Sequence, residues 1–200
     1  MIVLCSQSES RALLLQEAGI DFIQKPTDFD ENQIKTTVAK DFVYAASKGK
    51  LEMAERLYGL DVPLLTADSI IATQSGEILR KPKNSEDARR VLLKQSAASI
   101  SIISSVHYKT KTMLFINISA AHYCFASFDK DDLEAYIQSG EWQGKAGGCM
   151  VEGFCKKYIT ETNGHESTAR GLQVEVLKPW LNFGKSISNN AKENYVRKRT

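Results

Sequence analysis

Only four cysteines occur in the 200 residues, Cys5, Cys124, Cys149 and Cys155, too few and too scattered for the disulfide framework of a small secreted domain. The pair Cys149-x5-Cys155 lacks zinc-ligand spacing, and the three histidines (His107, His122, His165) stand apart from one another, so a metal–thiolate centre is not expected. No apolar run approaches the roughly 18 residues that a membrane span needs. The apolar start Met1–Cys5 is too short, and has no basic leader, to be a signal peptide. A soluble cytoplasmic protein with no membrane partner is the expectation. A large charge of one sign is missing as well: 26 Lys+Arg face 24 Asp+Glu, a net +2. Residues 185–200 hold five of the basic side chains and one acid, which leaves the rest of the chain at about −2. Such a body is a poor binder of nucleic acid, and no nucleic-acid partner is expected.

What remains is ordinary for a globular chain: 42% hydrophobic and 25% charged residues, with length enough to bury a core. Strand and helix signals alternate. Ile2–Cys5 reads as a strand, Ser8–Ala18 as a helix stopped by Gly19, and Ile20–Gln24 as a second strand. Apolar residues recur at helical spacing over Thr36–Tyr58. Pro63–Thr73 is an apolar strand, turned at Ser75-Gly76 into a short return at Glu77–Leu79. Asn84 caps a helix, Ser99–His107 and Met113–Phe128 read as two long strands, and Asp129–Ser139 as a helix ended by Gly140. A glycine-rich loop, a strand near Lys157–Thr162 and a last helix near Thr168 follow. The fold class is therefore α/β with a mixed sheet. Residues 1–184 read as one domain and 185–200 as a basic, loosely ordered tail.

Several places carry chemistry. In Leu4-Cys5-Ser6-Gln7-Ser8-Glu9-Ser10-Arg11 a strand passes directly into a helix, whose N-terminal N–H groups favour an anion. Ser6, Ser8 and Arg11 could hold a phosphate there, although a plain serine cap with a solvated arginine gives the same pattern. Asp68 closes the apolar stretch Val62–Ala67, where packing offers no reason for a carboxylate. Asp28-Phe29-Asp30-Glu31 is an acidic loop that could also be solvated turn residues. Magnesium needs only one or two carboxylates when substrate phosphates complete its shell. Lys48, in the middle of a helix, and Lys81, fixed by Pro82, are natural partners for phosphate oxygens, or else surface lysines. Gly144-Lys145-Ala146-Gly147-Gly148 lacks P-loop spacing, and Glu152 in the next loop could read the edge of a base. Glu52-x-x-Glu55 reads as a solvated helix face.

The order of these pieces resembles the Maf family of nucleoside triphosphate pyrophosphatases. The resemblance runs from about Ile2 to Leu177, through LCSQSESRALLLQEAGI, TDFDE, FVYAASKGK, TADS, ILRKP with SEDARRVL, LEAYIQSGEWQGKAGG, VEG and GLQ. It implies an elongated, two-lobed α/β fold related to the inosine triphosphate pyrophosphatases, with the active site in the cleft between lobes and a homodimer as a common assembly. It implies metal-dependent hydrolysis of the α–β phosphoanhydride, giving a nucleoside monophosphate and pyrophosphate. Residue by residue, Ser6, Ser8 and Arg11 match the phosphate-binding turn. Glu31, Lys48, Asp68 and Lys81 match the catalytic positions, with Asp68 the proton acceptor and Asp68 and Glu31 beside Mg²⁺ or Mn²⁺. Ser10, Ser69 and Glu152 match the positions that choose the base.

The chain departs from the family pattern in places. Glu9 replaces a proline after Ser8, and Gln173 stands where a proline is common. Ser10, Ser69 and Glu152 replace the Arg, Thr and Gln typical of members that take thymine or uracil nucleotides. A glutamate before Gly153 resembles instead the subgroup acting on 7-methyl-GTP, so the substrates implied are 7-methyl-GTP or modified UTP and dTTP. The rival reading is a non-enzymatic, nucleotide-binding regulator of cell division, against which the intact set of acids argues.

Overall fold

Ile2, Val3 and Leu4 are all buried, which makes β1 (Ile2–Leu4) the inner strand its composition demands. The computed structural model describes residues 1–181. Ser8 caps α1 (Glu9–Glu17) by accepting a hydrogen bond from the Arg11 N–H. From α1 the chain enters β2 (Phe22–Gln24), which lies parallel to β1, crosses through α2 (Ala39–Tyr58), and places β3 (Leu64–Thr73) parallel to β1 on its other side. The two crossovers leave β1 in opposite directions, so α1 and α2 cover opposite faces. A crevice then opens beyond the carboxyl end of β1, where such sheets bind ligands.

The remaining strands are antiparallel. β4 (Ile78–Leu79) pairs with β3, while β5 (Ser99–Lys109) and β6 (Leu114–Phe125) extend the sheet to β7 (Ile159–Asn163), giving the order β2-β1-β3-β5-β6-β7 with β4 off the path. α3 (Ser85–Leu93) and α4 (Lys130–Ser139) begin at Asn84 and Asp129 caps. A single-turn helix, α5 (Glu166–Ala169), precedes a helical stretch at 174–181. The α/β class and mixed sheet are as expected.

Three boundaries differ from the sequence reading. β6 stops at Phe125, and Phe128 leaves the sheet to pack edge-on to Phe125 and Phe154. Residues 154–158 form a 3-10 turn, so β7 begins at Ile159. A helix does form near Thr168, but it is the single turn α5; Gly171, at φ +101°, ends it, and the last helical stretch begins at 174. The basic tail at 185–200 lies outside the described residues. Among the described residues no helix is long and apolar enough to cross a membrane.

β3 and β5 run through two separate apolar clusters on one face of the sheet. Leu65, Ala67, Val106 and Tyr108 pack with α1 and residues 172–181. Ile71, Ile100 and Ile102 pack with α3 and α4. Between the clusters, at neighbouring positions, stand Ser69 and Ser104. On the other face Leu64, Thr66, Asp68, Ile70 and Ala72 look at α2, following the period of two of a strand.

His107 belongs to that α2 face. It is 1% exposed, its Nδ1 lies 2.9 Å from Ser47 Oγ, and its Nε2 has no partner. Burial, with help from the charge of Lys48, pushes its pKa down to about 4. The native state therefore refuses a proton that an unfolded histidine takes near pH 6.5, so its contribution is complete above that pH and is lost as pH falls towards 4. On the order of 3 kcal/mol is at stake once the ring is forced to charge. Urea unfolding at pH 7.5 and 4.5 tests this: His107→Asn should lose clearly less stability over the interval than the wild type. Equal losses in the two proteins would remove His107 from the account.

Candidate active site

The acidic loop between β2 and α2 is organised by Asp30, whose side chain caps a 3-10 turn at Glu31–Gln33 and thereby fixes the backbone of Glu31. From α2, Lys50 reaches into the space between this loop and β3. Its Nζ donates to Glu31 Oε1 and to Asp68 Oδ1, each at 2.6 Å. Asp68 is 5% exposed, and its second oxygen, Oδ2, is buried with no partner. Burial pushes its carboxyl above the usual carboxylate range, and Lys50 and Arg11 oppose that only in part. Burial also pushes Glu31 upward, but Lys50 and Lys81 outweigh it and hold this carboxyl below its ordinary range. Two neighbouring carboxyls are thus driven apart, the pattern that separates a proton acceptor from a permanently charged partner.

A cleft of about 480 Å³ opens over this centre. Residues 5–11 form one wall, with Lys81 and the loop at 143–145 opposite. Burial and the nearby Arg11 lower the pKa of Lys81. Lys145 Nζ donates to Ser10 Oγ across the cleft at 2.9 Å. Cys5 also lines the cleft, but burial pushes its thiol up to about 11, which makes it a poor nucleophile at neutral pH.

Arg11 forms the partition behind the cleft. Its Nε donates to the Gly171 carbonyl at 2.8 Å, Nη1 to Ser6 Oγ at 3.0 Å and Nη2 to Ser69 Oγ at 3.2 Å. Gly171 permits this approach, since a Cβ there would stand 3.2 Å from Ser69 Oγ and 3.3 Å from Arg11 Nε. Beyond the partition lies a smaller cavity of about 80 Å³, with Ser10, Ser69, Glu152 and Arg170 in its lining. The three expected base-choosing positions, distant in sequence, therefore meet in one pocket. Gln173, buried behind it, donates to the Ser104 carbonyl, a bond that a proline could not make.

The expected set comes together with one correction. Ser6, Ser8, Arg11, Glu31 and Lys81 line the cleft, and Asp68 lies beneath it, tied through Lys50. Lys48 does not belong to the set. Its side chain is 52% exposed and pairs with Glu52 one turn on, whereas that of Lys50 is 14% exposed. Two residues along a helix turn a side chain by about 200°, so only one of the two lysines can face the sheet. Lys50 follows Val43 and Ala46, both wholly buried, at helical spacing, and that periodicity is the signal that could have found it. Sequence reasoning also misses Lys145 and Arg170 as site residues, because neither lies in a pattern that marks a ligand.

Among the described residues no three His, Cys, Asp or Glu side chains cluster as a metal-binding group. Two carboxylates, one with a buried free oxygen, suit a cation whose remaining ligands come from a substrate.

The family model described as Maf-like protein matches residues 1–182. A nucleoside triphosphate pyrophosphatase from a Nitratiruptor species is 52% identical over 179 residues, which are 88% of this chain and 96% of that protein. A nucleoside triphosphate pyrophosphatase of Helicobacter pylori is 36% identical over 187 residues, 94% of this chain and 98% of that one. Among solved structures, the Staphylococcus aureus Ham1 protein superposes with a TM-score of 0.46 at 14% identity, covering 62% of this chain and 71% of that chain.

Removing the Lys50 charge should expose the tension between the acids. Lys50→Met leaves Asp68 facing Glu31 with only Arg11 to offset it, which raises the folded-state pKa of Asp68 further. A raised carboxyl pKa favours the native state at low pH and loses that advantage as pH rises through it. The variant should be markedly less stable than the wild type at pH 8, with the deficit shrinking as pH falls. A deficit independent of pH, in urea unfolding across that range, would rule out the electrostatic account.

Proposed function

This chain belongs to the Maf-like family, and from that premise we propose that it is a nucleoside triphosphate pyrophosphatase, cleaving the α–β phosphoanhydride to release a nucleoside monophosphate and pyrophosphate. The observation that carries the reading is the Asp68–Lys50–Glu31 set beneath a cleft with cations on its walls. Water is the nucleophile. Asp68, whose carboxyl is raised by burial, takes the proton as the oxygen attacks the α-phosphorus, and Lys50 holds that carboxylate in place. Lys81, Lys145 and the N–H groups at the start of α1 stabilise charge on the triphosphate and on the departing pyrophosphate. Ser6, Ser8 and Arg11 shape this phosphate-binding turn. Mg²⁺ or Mn²⁺ would be held by Asp68 and Glu31 together with substrate oxygens, and when bound it neutralises triphosphate charge.

The small pocket takes the base. Glu152 offers a carboxylate to paired N–H donors such as the N1–H and amino group of a guanine, which favours a 7-methyl-GTP-like substrate over modified UTP or dTTP. A second copy of the chain is the proposed partner. The surface available to it is the face of β6 where Leu114, Ile116 and Ile118 are exposed. We place the protein in the cytoplasm, where its substrates are made.

The test is a panel of canonical and modified triphosphates with Mg²⁺ or Mn²⁺, measuring pyrophosphate release. Asp68→Asn should lose roughly 10²–10⁴-fold in kcat, the range for a general base. Lys50→Ala should lose on the order of 10²-fold, while Lys48→Ala stays near the wild-type rate. Asp68→Asn at full rate would refute the assignment of the base. Nucleotide binding without pyrophosphate release under either metal would favour the regulator instead. On the best substrate, Glu152→Gln should change the preference between bases by roughly 5- to 100-fold; an unchanged ranking would place base choice elsewhere.

A further inference from the structure

Gly49 lies in the interior of α2, buried, at a position where the helix itself gains nothing from glycine. A glycine inside a helix is destabilising relative to alanine, and Gly49 is not among the residues at positive φ. What it does provide is space. A Cβ built at Gly49 would stand 2.2 Å from Phe29 Cε2 and 2.3 Å from Cζ, so the ring occupies the place where any other side chain would begin. Phe29 sits on the acidic loop two residues before Glu31, and Gly49 directly precedes Lys50. The loop is thus docked on α2 by two adjacent contacts, the ring on the bare helix backbone and the Glu31 carboxylate on the Lys50 ammonium.

Elsewhere this loop is anchored lightly. Tyr58 donates to the Pro26 carbonyl at its start, Arg80 Nη2 donates at 3.5 Å to the Glu31 carbonyl but leaves its carboxylate free to turn, and Ile34 packs against the α2-facing cluster at its end. Phe29 belongs to none of the four apolar clusters, so core packing does not explain its seat. A single ion pair between two long side chains leaves considerable rotational freedom. A rigid ring with two rotatable bonds, seated on the backbone beside that pair, removes it. We propose that Phe29 and Gly49 form a latch that positions Glu31 against Lys50 and Asp68. Both are positioning residues, and the proposal rests on the reading of the cleft as the triphosphate site.

The test uses Gly49→Ala, Phe29→Leu and the double variant. Leucine lacks the two ring carbons that a Cβ at position 49 would meet first. Gly49→Ala should remain folded, because alanine favours the helix and the ring it displaces lies on a loop outside the apolar clusters, yet lose roughly 10- to 100-fold in kcat with a smaller change in KM, the cost of a misplacement of about 1 Å. Amide hydrogen exchange over residues 27–34 should quicken in the same variant without substrate. Adding Phe29→Leu to Gly49→Ala should recover at least several-fold in kcat and slow the exchange again.

Full activity in Gly49→Ala, or a loss that Phe29→Leu does not relieve, overturns the latch. So does exchange unchanged by Gly49→Ala. If the wild type hydrolyses no triphosphate but the exchange responds as stated, the latch stands and the pyrophosphatase reading falls.

Discussion

The site depends on one ammonium group held between two carboxylates. Lys50 Nζ is 2.6 Å from both Glu31 and Asp68, and it is the charge that offsets most directly the burial of both acids. Three separate requirements meet there. The alternation of β3 must turn Asp68 towards α2, the phase of α2 must turn Lys50 towards β3, and the Asp30-capped turn must bring Glu31 to the same point. A change of one residue in any of these registers would leave a buried charge without a partner, a cost of several kcal/mol. The free Asp68 Oδ2 shows that the arrangement is not optimised for stability alone. A buried acceptor left unpaired destabilises the fold unless something else uses it.

The same trade appears on the opposite face of β3. Ser69, one residue on, cannot join the apolar clusters that flank it, and with Ser104, Arg11 and Gln173 it forms a polar belt across an otherwise hydrophobic layer. An uninterrupted layer of Val or Ile would be cheaper to fold. The belt makes sense because it floors a pocket, and its groups bond to one another, so their burial is tolerated.

Much of this was legible in the sequence because it follows from local physics. Strand and helix periods and the Ser8 and Asn84 caps are short-range signals that fall where they were expected, whereas Asp68, read as closing an apolar stretch, stands in the middle of β3. The errors arose where one residue of phase decides the outcome. Lys48 and Lys50 lie two positions apart on one amphipathic helix, and only a close reading of its phase against Val43 and Ala46 tells them apart. Ser69, Glu152 and Arg170 lie on three segments, and the pocket they share exists only after β3, the 149–155 loop and α5 have converged. No local pattern encodes that meeting. Gly49 was hidden for a similar reason: a small residue in a helix signals nothing until the ring that fills its place is known.

Arg11 shows how far tertiary structure can revise a role read from spacing. In the sequence it is a cation three residues after a helix cap, and so a phosphate ligand. In the fold, three of the five guanidinium N–H groups are already committed to Ser6, Ser69 and Gly171. At most two remain for a substrate. Burial weakens its hold on the proton, but its pKa begins so high that it stays charged, with Asp68 and Glu31 reinforcing that charge. Arg11 therefore stands first as a fixed positive wall between cleft and pocket, holding Ser6 of the serine turn on one side and Ser69 on the other. Lys145 gives one of its three N–H groups to Ser10, so on the proposed reading it and Lys81 are the cations with donors left for a triphosphate. A guanidinium bonded at three corners cannot shift, and on the proposed reading its rigidity would keep a fixed distance between base and phosphate.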